Sequence, residues 1–403
     1  MKVVLVPDSF KGTMGSGEIC EIVKARIMSR YPDAEVLAIP VADGGEGTVD
    51  AFLAAMHGEK VFVPVKGPYQ ETLEGFYGIV QDRHTKVAVG IIEMAACAGL
   101  PLVGCKLHPD QTTTFGVGQL IAHAMRRGCK KLILGLGGSA TNDLGTGAAA
   151  ALGIRFLDAA GNLFVPVGGT LSRIVSIDTS GLLPELKGLE KGAITAMCDI
   201  DNPLYGENGA AFVFAPQKGA DPSLVTLLDE QLRAGSAAIQ RELHRDVSML
   251  PGAGAAGGMG GGMVAFLGAS LKMGIETVLD TVAFETLLKG ADLVISGEGR
   301  FDAQSLRGKV LIGVARRAKQ AGVPVIALVG DIGSAGDRGD AVFALVEAAT
   351  VQGVSAMFSI NTVAVSFDEA KKRCREDLRL TADNIVKLMQ CTSFGNGFTG
   401  LRA

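Results

Sequence analysis

The chain has 403 residues, more than one ordinary hydrophobic core accommodates, so we expect two domains. Hydrophobic residues make up 48% and charged residues 20%, a globular composition that excludes a disordered or fibrous protein. The formal net charge is −4 and no basic stripe with interleaved aromatic residues is visible, which argues against a nucleic-acid binder.

The cysteines and the N-terminus predict a cytoplasmic protein. The seven cysteines are odd in number and form no C-x-x-C pair, which argues against a disulfide framework or a structural zinc site and favours a reducing compartment. The apolar run Val3–Val6 is broken at once by Pro7 and Asp8, so no signal peptide is expected. The uncharged stretch Val247–Leu271 holds eight glycines and is rejected as a membrane span.

The first 60 residues predict a β-α-β-α order. Lys2–Val6 is a short apolar run, typical of a strand buried on both faces of a parallel sheet. Apolar residues at helical spacing follow, with Ser16 as the expected N-cap. The next strand is predicted at Val36–Ile39 and the next helix at Gly47–Met56.

The middle of the chain predicts a mixed sheet. Three closely spaced strand candidates indicate a meander: Lys60–Val65, Glu71–Val80 and Lys86–Ile92. The elements expected after them are a helix at Thr114–Arg127, strands at Lys131–Leu136 and Ala193–Met197, and a long helix at Pro222–His244.

Strand-helix alternation returns near the C-terminus and predicts a doubly wound parallel sheet. The expected strands are Asp292–Ser296, Val323–Val329, Ala341–Leu345 and Ala356–Ile360, and the expected helices are Val310–Gln320 and Phe367–Leu388. We therefore expect an α/β protein in which residues 1–60 and 285–403 form one discontinuous domain. Residues 61–284 are expected to form a mixed α/β domain inserted into it.

Five polar segments with glycines follow predicted strands, and open α/β sheets bind ligands outside the carboxyl ends of their strands. In the first, Asp8, Ser9 and Lys11 bring together groups that can hold a small polyhydroxy acid or balance phosphate charge. An ordinary strand-helix turn is the alternative. In the second, Asp43 and Glu46 stand with three glycines at a helix N-terminus, where simple capping is the alternative.

The third segment, Gly135–Asp143, lies between a strand and an Ala-rich helix. It indicates a cradle of backbone amides for a phosphate or another anion, with a hairpin-like turn as the alternative. A dinucleotide site fits less well, because no acidic residue follows at the expected strand end. Gly252–Gly257 also satisfies G-x-G-x-x-G, but no strand precedes it, so we interpret it as a flexible loop over a ligand.

The fourth and fifth segments carry charges. Asp199 and Asp201 follow the strand at Ala193–Met197 and suit Mg²⁺ binding or acceptance of a hydroxyl proton. In Ser296–Lys309, basic residues could neutralise a polyphosphate. No Walker A motif is present, since Val310 follows Gly308-Lys309.

Together and in order, these segments resemble the glycerate kinase family typified by bacterial glycerate 2-kinases. The matching stretches are PDSFKGT (7–13), ADGGEGT (42–48), TTTFGVG (112–118), LGLGGSATND (134–143), CDIDNPL (198–204), GAAGGMGGG (254–262) and DLVISGEGRFDAQSLRGK (292–309). The resemblance covers residues 1 to about 385 and implies a flavodoxin-like sheet with an inserted domain. It also implies transfer of a phosphoryl group from ATP to D-glycerate with Mg²⁺, most often giving 2-phosphoglycerate, in sugar-acid catabolism. Leu144, Leu102–Gln111, Ile360–Ser366 and the tail 391–403 depart from the family's pattern.

The site residues then divide by role under this hypothesis. Lys11 and the pair Asp199 and Asp201 are the catalytic residues, one aspartate accepting the proton of the substrate hydroxyl. The expected glycerate contacts are Asp8, Ser9, Arg300 and Asp302. The expected contacts of the nucleotide phosphates are Gly137, Gly138, Ser139, Asn142 and Lys309. The expected Mg²⁺ ligands are Asp43, Glu46 and Glu298.

Two other functions fit the same residues. One is a kinase for another small hydroxy acid, and the other is a non-catalytic glycerate-binding regulatory protein. Clustered carboxylates argue against a protein that only binds glycerate, because they do not help to bind an anion. The expected partners are glycerate and ATP, without nucleic acid or membrane, in a monomer or a homodimer.

Overall fold

The computed structural model describes residues 1–42, 44–82, 85–333 and 339–391. The strands are, in chain order, β1 (Lys2–Pro7), β2 (Glu35–Ala38), β3 (Glu59–Lys66), β4 (Thr72–Gln81), β5 (Ala88–Glu93), β6 (Lys131–Gly135), β7 (Arg155–Leu157), β8 (Leu163–Phe164), β9 (Ser176–Asp178), β10 (Ile194–Met197), β11 (Ser270–Lys272), β12 (Leu293–Phe301), β13 (Val325–Ile332) and β14 (Ala356–Ser359). The helices are α1 (Ser16–Arg30), α2 (Thr48–Met56), α3 (Ala95–Ala98), α4 (Leu100–Val103), α5 (Phe115–Arg126), α6 (Thr146–Ala151), α7 (Pro184–Lys187), α8 (Ala210–Phe214), α9 (Pro222–Leu243), α10 (Met259–Leu267), α11 (Gly274–Thr281), α12 (Phe284–Leu288), α13 (Val310–Gln320), α14 (Gly339–Val351) and α15 (Phe367–Gln390). Short 3-10 helices occupy Gly168–Arg173, Pro216–Lys218 and Ser305–Arg307.

The chain divides into two compact units. The first unit comprises Met1–Ala42 and Val278–Ala403, and the second comprises Asp43–Thr277. The sequence put the first boundary at residue 60. It lies earlier because α2 packs on β4 and β5 of the second unit.

The first unit is built on a parallel sheet with the order β14-β13-β12-β1-β2. Numbered within this sheet alone, the order is 2-1-3-4-5, which is that of flavodoxin-like folds. The doubly wound parallel sheet expected from the sequence is thereby confirmed. The direction of winding reverses between β1 and β12, where Pro7 pairs with Gly297. This switch point is where open α/β sheets bind their ligands.

The core of the first unit lies between the sheet and its two longest helices. Apolar side chains of α1 and α15 meet those of β1 and β12 in one buried cluster. Ser16, which was predicted as the N-cap of α1, is instead its first residue. Gly15 precedes it without a side-chain cap. The Ser16 hydroxyl instead donates to the Pro7 carbonyl at 2.6 Å and accepts from the Val41 amide at 2.9 Å. It thereby ties the end of β1 to α1.

The strand predicted at Ala341–Leu345 is wrong, because these residues belong to the helix α14. This helix connects β13 to β14, which pair in parallel. Parallel neighbours need a crossover connection, which is usually helical. The short apolar run in this segment did not distinguish a helix from a strand.

The second unit has a mixed sheet with the order β11-β10-β6-β5-β4-β3, as expected. The meander β3-β4-β5 is antiparallel, whereas β5, β6, β10 and β11 are parallel. The carboxyl ends of these parallel strands therefore meet at one edge of the sheet. A small antiparallel sheet with the order β8-β7-β9 is separate from this mixed sheet.

Glycines let backbone segments of the second unit approach one another closely. A Cβ atom placed on Gly257 would overlap the carbonyl oxygen of Thr141, and one on Gly262 would overlap that of Leu144. The segment Gly252–Gly257, predicted as a flexible loop, is instead a run of mostly buried turns before α10. In the described ranges, no helix combines the length and the apolar composition that crossing a membrane requires.

We predict that Gly262→Ala lowers the free energy of unfolding by about 3 kcal/mol, because α10 would have to move off Leu144. Gly188→Ala is the matched control, since a Cβ there has nothing within 4 Å and its φ of −93° suits alanine. Urea unfolding followed by circular dichroism measures both. Equal stability of the two variants would contradict the close packing of α10.

Candidate active site

Two carboxylates lie at the switch point of the first unit. The Asp8 amide, directly after β1, donates to the Gly297 carbonyl at 2.8 Å. Its carboxylate Oδ1 accepts from the Ser9 amide at 2.7 Å. Glu298, on β12, is only 6% exposed, and its Oε2 accepts from the Ser305 hydroxyl at 3.0 Å. Within the described ranges, Glu298 Oε1 is buried and has no hydrogen-bond partner.

The pKa of Glu298 is raised to about 7, first by burial and then by the negative charge of Asp8. The hydrogen bond from Ser305 and the charge of Lys309 act in the opposite direction. A carboxyl group with this pKa exchanges its proton near neutral pH, which is typical of functional sites.

The three cations predicted as site residues belong to the same segments of the first unit. Lys11 is exposed at the tip of a turn in which the Phe10 amide donates to the Met14 carbonyl at 2.9 Å. The side chain of Arg300 is more than half exposed, and its Nε lies 4.0 Å from Asp331 Oδ2. Lys309 precedes α13, and its Nζ donates to Gln304 Oε1 at 3.4 Å.

Asp302 has a structural role that the sequence did not predict. Its Oδ1 accepts from the Gln304 amide at 2.8 Å and from the Ser305 amide at 3.3 Å. This turn positions Ser305 for its hydrogen bond to Glu298. The role of Asp302 in glycerate binding stays a prediction.

In the second unit, the loop after β6 has a tip made of Gly137, Gly138 and Ser139, called the 137–139 tip below, in which Gly138 is exposed and Ser139 is buried. The Gly137 amide donates to the Gly44 carbonyl at 2.8 Å, which holds one side of the tip. The Ala140 amide donates to the Ala98 carbonyl at 2.9 Å, which holds the other. Among the described residues, the amides of Gly138 and Ser139 have no acceptor. Free amides on a glycine turn suit an anion.

The rest of this loop is buried and polar. The Asp143 carboxylate accepts from the Thr114 amide at 2.7 Å and hydroxyl at 2.8 Å. It also accepts from the amides of Gly145 at 3.1 Å and Gly147 at 3.3 Å. Burial raises the pKa of Asp143, while these four donors lower it. The charge of Asp143 thus fixes the start of α6.

Asn142 is fully enclosed, and within the described ranges its side-chain oxygen and nitrogen have no hydrogen-bond partner. The backbone at Gly257 covers it. A contact between Asn142 and a nucleotide, as predicted, would therefore require this covering segment to move.

Lys218 lies beneath the 137–139 tip and is not among the site residues predicted from the sequence. It is 2% exposed, and its Nζ donates to Ser139 Oγ at 2.9 Å and to the Thr141 carbonyl at 2.6 Å. Burial lowers its pKa to about 7, and the charge of Asp143 opposes this effect. The available signal was a lone lysine close after the apolar run Ala210–Ala215.

The two aspartates after β10 have different surroundings. Because β10 ends at Met197, neither aspartate continues the strand. Asp199 is half-buried, and its Oδ1 accepts from the Gly274 amide at the start of α11 at 2.6 Å. Asp201 is exposed. Since β10 pairs with β6, both aspartates share a sheet edge with the 137–139 tip.

The acidic segment before α2 has a partner that the sequence analysis missed. Asp43 lies outside the described residues, and Glu46 is exposed. Gly47 precedes α2 without a side-chain cap, and the capping role considered for Asp43 lies outside the described residues. Glu93, buried at the end of β5, accepts from the amides of Gly47 and Val49, both at 3.1 Å.

In the described ranges, no three His, Cys, Asp or Glu side chains converge as a metal site. Mg²⁺ in phosphoryl-transfer enzymes usually takes one or two carboxylates together with substrate phosphates and waters. The unpaired, buried Oε1 of Glu298 fits such a ligand, because it is an oxygen that still lacks a partner. The candidates Glu46 and Glu298 belong to different units, and their joint use stays a prediction.

Comparison with known proteins agrees with this description. The profile of the glycerate kinase family matches residues 3–390. A glycerate kinase of Bacillus cereus is 44% identical over 98% of this chain and 99% of its own length. A glycerate 2-kinase of Escherichia coli is 42% identical over 96% of this chain and 97% of its own length. A crystal structure assigned to glycerate kinase 2 from Salmonella typhimurium LT2 superposes with a TM-score of 0.83 at 41% identity, covering 98% of this chain and 99% of that one.

We predict that Glu298→Gln changes how stability depends on pH. Because the folded pKa of Glu298, about 7, exceeds the ordinary value of 4.5 for a glutamate, the folded state holds a proton that the unfolded state releases. Wild-type stability therefore falls as pH rises between these values. Relative to Glu298→Gln, the free energy of unfolding should fall by roughly 2 to 3 kcal/mol between pH 5 and pH 8 in buffer with EDTA.

Urea unfolding at several pH values measures this difference. Glu46→Gln is the control, since Glu46 is exposed and should leave the pH dependence unchanged. Parallel pH profiles of the wild type and Glu298→Gln would refute the raised pKa.

Proposed function

The chain belongs to the glycerate kinase family, and on that premise we propose that it transfers the γ-phosphoryl group of ATP to D-glycerate and yields 2-phosphoglycerate. Membership makes it an enzyme of the kinase class. The observation that carries the choice of substrate is full-length similarity, above 40% identity, to relatives named for glycerate. A role in sugar-acid catabolism follows as part of the proposal.

The 137–139 tip suits the phosphates of ATP. Phosphoryl transfer requires mainly positioning and charge stabilisation from the protein. The free amides of Gly138 and Ser139 supply donors at fixed positions, because neighbouring backbone bonds hold the tip on both sides. Lys309 of the first unit is the second predicted phosphate contact.

Asp201 is the better candidate for the base that accepts the hydroxyl proton of glycerate. Asp199 already holds the Gly274 amide with Oδ1, which gives it a structural role at the start of α11. Asp201 is exposed and follows the same strand end. A general base must be able to reach the proton that it abstracts.

The first unit supplies residues for the substrate and for Mg²⁺. Lys11 and Arg300 are exposed cations that suit the glycerate carboxylate, and Asp8 and Ser9 suit its hydroxyl groups. Glu298 would hold Mg²⁺ through its unpaired oxygen, with Glu46 and Asp43 as the further candidates. When bound, Mg²⁺ neutralises charge on the transferring phosphate.

A kinase for another small hydroxy acid is the second candidate, because Lys11 and Arg300 would bind any such carboxylate. The cytoplasmic location and the monomeric or homodimeric state predicted from the sequence stay predictions. The roles of Asp43 and of the tail after Cys391 also stay open to experiment, since these residues lie outside the described ranges.

We predict that the purified protein releases ADP from Mg-ATP when D-glycerate is added. Because the wild type should form a phosphate ester at the 2-hydroxyl, phosphorus NMR should show 2-phosphoglycerate and not 3-phosphoglycerate. A coupled ADP assay measures the rate, with L-glycerate, glycolate and lactate as alternative acceptors. Turnover of another acid but not of glycerate would favour the second candidate, and no turnover with any acid would favour a binding protein.

We predict that Asp201→Asn lowers kcat by about 100-fold or more, since general-base catalysis contributes on that scale. Its melting temperature should stay that of the wild type, because Asp201 is exposed. Asp199→Asn should lower both activity and melting temperature, because it disturbs the bond to Gly274.

Glu207→Gln, an exposed acid a few residues further on, is the matched control and should keep wild-type kcat. A folded Asp201→Asn variant with near-wild-type kcat would exclude Asp201 as the base. If Asp199→Asn alone lost activity while it stayed folded, the base would be Asp199.

A further inference from the structure

Lys218 is a buried cation that the proposed mechanism has not used. Burying an ammonium group costs several kcal/mol unless partners compensate it. Lys218 has two acceptors, Ser139 Oγ and the Thr141 carbonyl, and both belong to the loop after β6. No ion pair between Lys218 and a carboxylate is formed among the described residues, although Asp143 lies close enough to influence its charge. Its position is therefore defined by this loop.

The bond from Lys218 fixes the direction of the Ser139 hydroxyl. Ser139 Oγ accepts a hydrogen from Nζ, so its own hydrogen must point away from Lys218. Among the described residues, that hydrogen has no acceptor, and Ser139 keeps 8% of its surface exposed. The 137–139 tip thus presents a hydroxyl donor in addition to the amides of Gly138 and Ser139.

The same contact brings a positive charge beneath the tip. Because Lys218 is 2% exposed, little water can screen it. Its bond to the Thr141 carbonyl also ties the buried part of the loop to the 3-10 helix Pro216–Lys218. Donors with fixed directions and a nearby charge that is not screened are what an anion site requires.

We propose that Lys218 is a positioning residue for nucleotide binding, which orients the Ser139 hydroxyl toward the phosphates of the nucleotide and supports them with its charge. This inference rests on the proposed function in one respect, namely that the 137–139 tip binds nucleotide phosphates. The part of the ligand that Lys218 would recognise is the phosphate groups and not the nucleoside.

The test compares ADP with adenosine, which lacks phosphates, by calorimetric titration in the presence of Mg²⁺. We expect Lys218→Met to raise the Kd of ADP about 10-fold or more and to leave that of adenosine within 2-fold. Ser139→Ala should raise the Kd of ADP by a smaller factor, again without an effect on adenosine. In the double variant, the loss should not exceed that of Lys218→Met, because both substitutions break the same interaction.

Lys187→Met is the matched control. The Lys187 Nζ also donates to a backbone carbonyl, that of Ser180 at 2.7 Å, but Lys187 is exposed. It should bind ADP like the wild type. In the kinase assay, Lys218→Met should raise KM for ATP while KM for glycerate stays within 2-fold, a difference that general loosening of the fold would not produce.

An unchanged Kd of ADP in Lys218→Met, or additive losses in the double variant, would overturn this inference. If Lys218→Met does not fold, Ser139→Ala decides, since it removes a single hydroxyl: unchanged ADP binding then overturns the inference. The proposed function fails separately. If Lys218→Met weakens ADP binding but the wild type phosphorylates no glycerate, the proposed function is refuted and the inference stands. If the wild type phosphorylates glycerate but Lys218→Met binds ADP equally well, the function stands and the inference is refuted.

Discussion

The candidate site of the second unit depends on close packing between stretches of backbone. The loop after β6 lies against Gly44 and Gly45 on one side and against the segment Gly252–Gly262 on another. Any side chain at the contact points would force these segments apart, which is why glycines occupy them. Because two segments far from this loop in the sequence hold it in place, its tip can keep free amides at defined positions. This constraint, more than any single hydrogen bond, explains the high glycine content of the middle of the chain.

A second consequence of this packing is that charged groups are enclosed beneath the tip. Asp143 is compensated by four donors, two from Thr114 just before α5 and two from the amides of Gly145 and Gly147 at the start of α6. Lys218 is compensated by two acceptors in the loop itself. Buried charges are strongly destabilising when one partner is lost, so such a network tolerates few alternative conformations. The tip is consequently pre-organised, and less ordering entropy opposes ligand binding.

The sequence predicted the regular elements better than the contacts. Buried strands such as β1 and amphipathic helices such as α15 follow from periodicity, which is a local property. The strand predicted at Ala341–Leu345 failed because a short apolar run does not reveal its period, and the crossover between β13 and β14 decided the outcome. The polar segments of the candidate site could be placed after strands because strand ends are visible in the sequence, and their roles stay predictions.

Lys218 and Glu93 were missed for a different reason. Each acts on a loop far away in the chain: Lys218 on Ser139, and Glu93 on the start of α2. Neither stands in a cluster of charged residues and glycines after a predicted strand, so their roles exist only in the folded protein. Both residues also show how the second unit compensates a buried charge with neutral groups. The Glu93 carboxylate accepts from two amides at the start of α2, and the Lys218 ammonium donates to a hydroxyl and a carbonyl of the loop after β6. Because an uncompensated buried charge is strongly destabilising, each of these loops is held in an arrangement that satisfies its charge.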